Sequence, residues 1–495
     1  MTFYMDAKRE SSCSMNFAEG FLEMNGKICF RGVLALLGLL VMNGCTSYDP
    51  PPKAVTQSTF TSVPGEEHQK LSVPSRKLLT LEDAQSVAVQ NNPNFKTKYF
   101  AIVAARAGYY GAFAPYMPTI TLGYQIQQSF NEPNNVYGNI ANGSRNFQNT
   151  PSASANWLLF DSFVREMNLL AAKHSWKQSE ALELDARRLL VRSVAFAYND
   201  ILLAMAKIRI AKEDMKFQNS QLKENELKFE VGAVPLSDVL NFKAYYNTAE
   251  SSLYTAEYNL AAAKYSLAKL MGLTEGTIPD DVEFPGVPST DGEMLAGLSV
   301  YLDSALANRP DLKAYREALE ISKYNYWSSI CSFGPTVYFN SSVGYTVGQT
   351  RVKAYDGTGS YTNKYETFTF NYGGTASWEI FSGGKTFFNM RSKQAAMFQS
   401  DYTLADNWIS IITEVRTAYD NYLTSLKQAK LSEKSLELYR KIRDLVEEEY
   451  RAGNTELTRL NEAQRDLVDA ETTLANYVIN MQNARAQLTA ATGGY

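Results

Sequence analysis

The sequence predicts a mainly α-helical protein that also carries membrane-type β-strands. Three observations lead there. Landmarks recur in two copies along the chain. Two tracts, 163–230 and 386–451, hold neither proline nor glycine. Four segments alternate apolar and polar residues with the period of a strand.

The repeat is read from short motifs. Asn91-Asn92-Pro93-Asn94-Phe95-Lys96 returns as Asn308-Arg309-Pro310-Asp311-Leu312-Lys313, and Pro118-Thr119 as Pro335-Thr336, both 217 residues on. Trp157-Leu158-Leu159-Phe160 returns as Trp378-Glu379-Ile380-Phe381, Tyr198 as Tyr419 and Gly232 as Gly453, all 221 residues on. A small length change therefore falls between Pro118 and Trp157, where the strands and their loop lie.

The N-terminal region reads as an export signal. Lys27 and Arg31 precede an apolar run from Val33 to Met42, too short to span a bilayer and suited to a signal peptide. Met42-Asn43-Gly44-Cys45 resembles a bacterial lipoprotein processing site, which implies residues 1–44 as the signal, with Met24 a plausible true start, and an acyl chain such as palmitate on Cys45. Thr46 in place of aspartate resembles the sorting signal for the outer membrane. An ordinary cleaved signal with an incidental cysteine is the alternative. Each buried methylene of a lipid is worth about 0.8 kcal/mol. Residues 45–79, with Pro50-Pro51-Pro52, Pro64 and Pro74, read as an extended tether. Beyond the signal only Cys45 and Cys331 remain, so an acylated Cys45 leaves no disulfide within the chain. The net charge of −4, with both signs spread throughout, argues against nucleic acid.

Helices follow from Thr80. Thr80 and Asp83 form a capping-box pattern, and Pro93 limits the first short helix. A second helix is expected from about Asn94 to Ala114, and Leu302–Ala307 and Asp311–Ile330 repeat the pair. Each long tract is expected to reach roughly 100 Å. Leu190, Val194, Ala197, Tyr198, Ile201 and Met205 form a narrow stripe on one, and Ile411, Val415, Ala418, Tyr419 and Leu423 on the other. Such stripes suit coiled-coil-like packing around a wall. Gly232 and Gly453 stop the tracts, and return helices are expected over 236–271 and 456–490. The two repeats are assigned to 80–290 and 291–490, with a short tail, 491–495.

The strands are expected at 120–127, 153–160, 337–348 and 367–380, with loops at about 129–152 and 348–366. Ile120, Leu122, Tyr124 and Ile126 share one face, and so do Phe368, Phe370, Tyr372, Ala376, Trp378 and Ile380. An aromatic face against a small polar face fits a membrane barrel and also a half-buried soluble sheet. The export signal and the long polar loops favour the barrel. Four strands do not close one, because single-chain barrels begin at eight, and an open edge is not tolerated in lipid. Several chains must therefore pool strands by symmetry.

These landmarks together resemble the TolC-like outer-membrane efflux and secretion channels, in the lipoprotein branch. The markers are Leu81-Glu82-Asp83-Ala84 through Pro93, Leu302 through Leu312, Pro118 and Pro335 entering strands, Trp157–Phe160, Trp378 through Gly384, Ala197-Tyr198, Ala418-Tyr419, Gly232 and Gly453. The resemblance implies a homotrimer in which long α-helical hairpins form a periplasmic tunnel. Each protomer then gives four strands to a shared twelve-stranded β-barrel. It further implies a periplasmic adaptor protein docked near the tips and an inner-membrane transporter as the source of energy. The tip contacts would be Gly232, Val234, Leu236, Gly453, Thr455 and Leu457. The aperture would hold Asp238, Asn241, Arg459 and Glu462. The basic Arg459 departs from the acidic residue typical of the family, so a mixed ring, Arg459 with Asp238 or Glu462, is expected.

No catalytic constellation, metal or cofactor site is expected. His68 and His174 stand apart, Gly383-Gly384-Lys385-Thr386 lacks the spacing of a phosphate loop, and Asp280-Asp281 reads as a turn. The alternative to a channel is a soluble periplasmic helical scaffold or adaptor without a pore.

Overall fold

A computed structural model describes residues 78–131, 135–136, 139–140, 143–289, 296–353 and 359–494. The expected export signal, Cys45 and nearly all of the expected tether lie outside the described residues.

In chain order the elements are α1 (Leu81–Asn91), α2 (Pro93–Gly111), β1 (Thr119–Asn131), β2 (Asn135–Val136), β3 (Asn139–Ile140), β4 (Gly143–Phe160), α3 (Val164–Glu230) and α4 (Leu236–Met271). The second copy comprises α5 (Leu298–Asn308), α6 (Pro310–Cys331), β5 (Thr336–Lys353), β6 (Ser360–Ser377), α7 (Lys385–Arg451) and α8 (Leu457–Ala491). The long helices α3 and α7 each have 67 residues, about 100 Å of rise.

The duplication extends to single hydrogen bonds. Tyr198 donates from its hydroxyl to the Leu79 carbonyl at 2.9 Å, and Tyr419 donates to that of Ala296 at 3.3 Å. Each bond ties the long helix to the residue that leads into its repeat. Burial, with the charge of Asp83 second, pushes the Tyr198 hydroxyl up to about 12. Trp157 Nε1 donates to the Tyr116 carbonyl and Trp378 Nε1 to that of Phe333, both at 2.9 Å. Each indole thus pins the far end of a strand pair to the turn that enters it. Gly272 and Gly493 end the return helices with φ of 68° and 84°. A Cβ on Gly272 would meet the Asn91 carbonyl oxygen at 2.7 Å, and one on Gly493 would meet the Arg309 amide at 3.0 Å. Only glycine lets each return helix close on the kink between the two short helices.

Those kinks are capped as the prolines require. Thr80 accepts from the Asp83 amide at 3.2 Å, the first half of the capping box. The Asn92 side chain accepts from the Phe95 amide at 3.0 Å and donates to the Leu270 carbonyl at 2.8 Å. Arg309 stands at the matching place in the second repeat and does different work. It bonds Asp311 at 2.6 Å, Glu414 at 2.6 Å and the Ala491 carbonyl at 3.2 Å. Arg188 joins this group through Asp311 Oδ2 at 3.7 Å and donates to the Ala490 carbonyl at 2.8 Å.

Each repeat has its own core. One gathers Val87, Val194, Tyr198, Ile201, Leu267, Met271 and Ile278. The other gathers Leu312, Ile411, Val415, Tyr422, Val478, Met481 and Leu488. The apolar stretch of α3 is long enough to cross a bilayer, but half of it is buried in the protein, as a core helix would be.

The four long strands form one antiparallel sheet ordered β1-β4-β5-β6. Its register brings the expected apolar positions onto one face. Leu122 lies opposite Ala153, Ala153 opposite Val343, and Val343 opposite Phe370. Trp157 lies opposite Phe339. The other face carries Thr121, Ser154, Ser342 and Asn371 in one row. The strands run further than the alternation predicts. β4 begins at Gly143 and β6 at Ser360, inside the segments expected as loops. Backbone pairing continues where polar and charged residues interrupt the apolar face, and the period-two signal fades there. β6 also ends earlier than expected, at Ser377, because its partner strand β5 begins opposite it at Thr336.

Where strand passes into long helix the two repeats differ. Gly383 and Gly384 hold φ of 65° and 85°, whereas the matching Ser162 and Phe163 hold 58° and 72°. A left-handed conformation costs a residue with Cβ about 1–2 kcal/mol. The backbone term is isolated by comparing two truncations of one side chain. Phe163→Gly should unfold about 1 kcal/mol harder than Phe163→Ala, and Gly384→Ala should be weaker than wild type by a similar amount. Thermal unfolding of the detergent-solubilised protein checks both.

Candidate functional site

Two regions carry no internal explanation: the sheet with its uncovered apolar face, and the far tips of the hairpins. In the sheet, β1 and β6 each have one neighbour among the described residues. Their outer rows of backbone groups have no strand partner among the described residues. Large side chains on the apolar face stand open. Tyr124 and Phe368 are each 65% exposed, and Tyr372 is 73% exposed. In water such a face and such edges promote aggregation. In a bilayer the face is at home and the edges are not.

The opposite face is polar and internally bonded. Gln148 donates to Gln127 Oε1 at 2.8 Å, Thr150 and Thr346 hydroxyls meet at 3.0 Å, and Tyr365 donates to Asn146 Oδ1 at 3.2 Å. Gly348 leaves the space over which the Tyr365 ring lies. This surface has the composition of a water-filled lumen.

At the tips, Gly232 and Gly453 take φ of 74° and 75°. The Ala233 amide reaches back to the Lys228 carbonyl at 2.8 Å, and the Asn454 amide to that of Glu449 at 2.9 Å. Both are Schellman closures that need the left-handed glycine. Leu236 is exposed, and Val234, Thr455 and Leu457 are half-buried. The expected aperture residues are only partly brought together. Arg459 reaches Glu462 at 3.5 Å along its own helix, with both side chains about half exposed (55% and 49%). Asp238 is half-buried and accepts from Ser237 at 3.3 Å, and Asn241 is exposed. The mixed pair therefore forms within α8, and Asp238 is not its partner inside one chain. A helical i,i+3 spacing satisfies Arg459 locally, at an exposed pair worth under about 1 kcal/mol.

Sequence reasoning missed the seam that joins the two hairpins just behind the tips. Tyr450 donates to Asn225 Oδ1 at 3.1 Å, and Asn225 is fully buried. Lys228 lies over the Tyr450 ring at 5.5 Å. Gln464 donates to Asp214 Oδ1 at 2.9 Å. Leu460, Val446 and Ala463 supply a small apolar cluster beside them. The signal was present only as polar residues recurring on the inward side of α3, such as Gln218, Gln221 and Asn225. Burial pushes the Asp214 carboxyl up, while the hydrogen bonds from Gln464 and Gln218 act against that rise. His174 pairs with Glu317 at 2.6 Å and stacks on Tyr324. Among the described residues no group of three or more histidine, cysteine or acidic side chains is placed to hold a metal ion.

Amphipathic strands with free edges, set on paired helical hairpins, define a channel-forming protein of the outer membrane. The sequence profile of the outer membrane efflux protein family matches residues 85–273 and 301–494, and the chain belongs to that family. It is 24% identical over 413 residues to the alkaline protease secretion protein AprF of Pseudomonas aeruginosa, covering 82% of this chain and 81% of that one. It is 22% identical over 391 residues to the outer membrane protein TolC of Escherichia coli, covering 76% and 75%. The outer-membrane channel OprN shares its fold with a TM-score of 0.71 at 18% identity, covering 84% of this chain and 90% of that one. The Campylobacter jejuni CmeC outer membrane channel does so with a TM-score of 0.68 at 18% identity, covering 90% and 94%. The protein is thus an outer-membrane efflux or secretion channel, and the pore-less scaffold is set aside.

The seam yields a pH prediction. The folded chain holds the Asp214 proton more tightly than the unfolded chain, so the penalty of the buried carboxylate is present above its raised pKa. It fades as pH falls toward the ordinary 3.8. Asp214→Asn should therefore stabilise the protein at neutral pH, and that gain should vanish in acid. Denaturant midpoints at several pH values measure it.

Proposed function

We propose that three copies of this chain close one twelve-stranded barrel, with β1 of each copy pairing to β6 of the next. The observation that carries this reading is the four-stranded sheet with two unpaired edges and an uncovered aromatic face. Lipid contacts the aromatic face, and the polar face lines the pore. The long hairpins extend the pore into the periplasm, and Cys45 anchors the chain to the membrane by its acyl group.

In this reading the channel is the passive exit duct of a tripartite efflux or secretion system. A periplasmic adaptor protein docks on the tips, where Gly232 and Gly453 set the turns and Val234, Leu236, Thr455 and Leu457 offer side chains. An inner-membrane transporter supplies the energy. Asp238, Asn241, Arg459 and Glu462 line the aperture between neighbouring hairpins. The seam of Tyr450 and Asn225 latches each hairpin to its neighbour in the same chain.

Reconstitution of the full chain tests the proposal. Detergent-purified protein should cross-link as a three-chain species and conduct in planar bilayers. Chains that remain monomeric in water without detergent, with no conductance, overturn it. Within a conducting oligomer, Arg459→Ala should raise single-channel conductance or open probability. If neither changes, Arg459 has no part in the aperture and the barrel stands.

A further inference from the structure

The lipid-turned face changes character toward the loop end of the sheet. Along β5 the apolar side chains of this face extend from Val337 to Val347, interrupted by Ser341, about 34 Å of strand at 3.4 Å per residue. Tilted as barrel strands are, that run rises roughly 25 Å, the height of a barrel's apolar band. Beyond it the same face becomes cationic. Lys364 lies opposite Gln349. In the next row Arg145 lies directly opposite Arg351, with Phe130 on the other side of Arg145. All three cations are exposed. Arg145 lies over the Phe130 ring at 5.3 Å, and Arg351 donates to Ser360 Oγ at 3.4 Å. Glu366, the acid on this face among the described residues, is engaged by the Tyr345 hydroxyl. Among the described residues none of the three cations forms an ion pair with a carboxylate.

Two like charges directly across a strand pair repel each other. Here they do so at the depth where hydrocarbon gives way to headgroups. A guanidinium offers a planar fork that matches a phosphate with two parallel hydrogen bonds. Stacking of Arg145 on Phe130 covers its face and leaves its N–H edge free. We propose that Arg145, Arg351 and Lys364 form a docking surface for the phosphate-bearing headgroups of the outer lipid leaflet. One phosphate between Arg145 and Arg351 converts their repulsion into a bridge. The proposal rests on the shared-barrel reading, which turns this face to lipid.

The test titrates the full-length oligomer in neutral detergent micelles with diphosphoryl lipid A, with the same lipid dephosphorylated, or with inorganic phosphate alone. The readout is the temperature of oligomer unfolding. Diphosphoryl lipid A should raise it, and the other two should not. The Arg145→Gln/Arg351→Gln double variant should bind diphosphoryl lipid A roughly thirtyfold more weakly, and Lys364→Gln about fivefold more weakly, at about one elementary attraction per charge. In neutral detergent alone the double variant should match or exceed the wild type, since it removes the facing charges. Unchanged affinity in the double variant overturns the proposal. So does an equal response to the dephosphorylated lipid, and so does an equal response to free phosphate. Planar-bilayer conductance of each protein separates the two readings: a wild type that does not conduct brings down the barrel itself, and the docking surface with it.

Discussion

A backbone amide in hydrocarbon must have a hydrogen-bond partner, and most of what is distinctive in this protein answers to that constraint. Four strands satisfy one another only along their inner seams. The outer rows of β1 and β6 have no partner among the described residues. A soluble protein would cover such edges with a helix or loop, or blunt them with charge. Here the edges are left clean and the face beside them is aromatic. The remaining architecture keeps the sheet in position for closure. Trp157 and Trp378 pin the strand pairs to their entry turns, and Tyr198 and Tyr419 pin the long helices to the start of each repeat.

Much of this was legible in the sequence because it rests on local rules. The absence of proline and glycine over 163–230 and 386–451 delimits α3 and α7 to within a residue or two. Pro93, Pro310, Gly232 and Gly453 mark kinks and turns because their backbone preferences leave few choices. The apolar face of the sheet was readable from period two, and the register confirms it row by row. What escaped were features without a local signature. Beyond the apolar band the same face mixes Arg145, Phe147 and Asn149 in β4, so alternation does not mark Gly143–Pro151 as strand. The seam behind the tips depends on which helix lies beside α3, and Asn225 meets Tyr450 across 225 positions of chain. Of the two carboxylates expected to face Arg459, Glu462 lies within reach one turn along the same helix, while Asp238 depends on how another helix is placed, which no local rule states.

The two repeats share their skeleton and diverge in how it is secured. Where Asn92 joins two short helices with a pair of amide hydrogen bonds, Arg309 gathers Asp311, Glu414 and a carbonyl into a buried ionic group. Burial alone would push the Asp311 carboxyl up, and the hydrogen bonds and charge of Arg309, with Arg188, hold it below the usual carboxylate range. A buried ionic group stabilises little compared with well-packed apolar residues, but removing one member is costly. Such a group fixes position, and it fixes the second repeat's helices against the end of α8.

The same divergence recurs at the passage from strand to long helix. In the first repeat Arg165 grips the carbonyls of Pro115, Leu158 and Leu159, and Ser162 and Phe163 hold a backbone shape that side chains resist. In the second, paired glycines make the turn, with a Ser382–Thr386 hydroxyl contact beside them. One joint is a clamp and the other a swivel. Around a ring built from three such chains, stiff and compliant spokes would alternate. A twist applied from the tips would then bend every second spoke first, and the duct would widen with the symmetry of three rather than six.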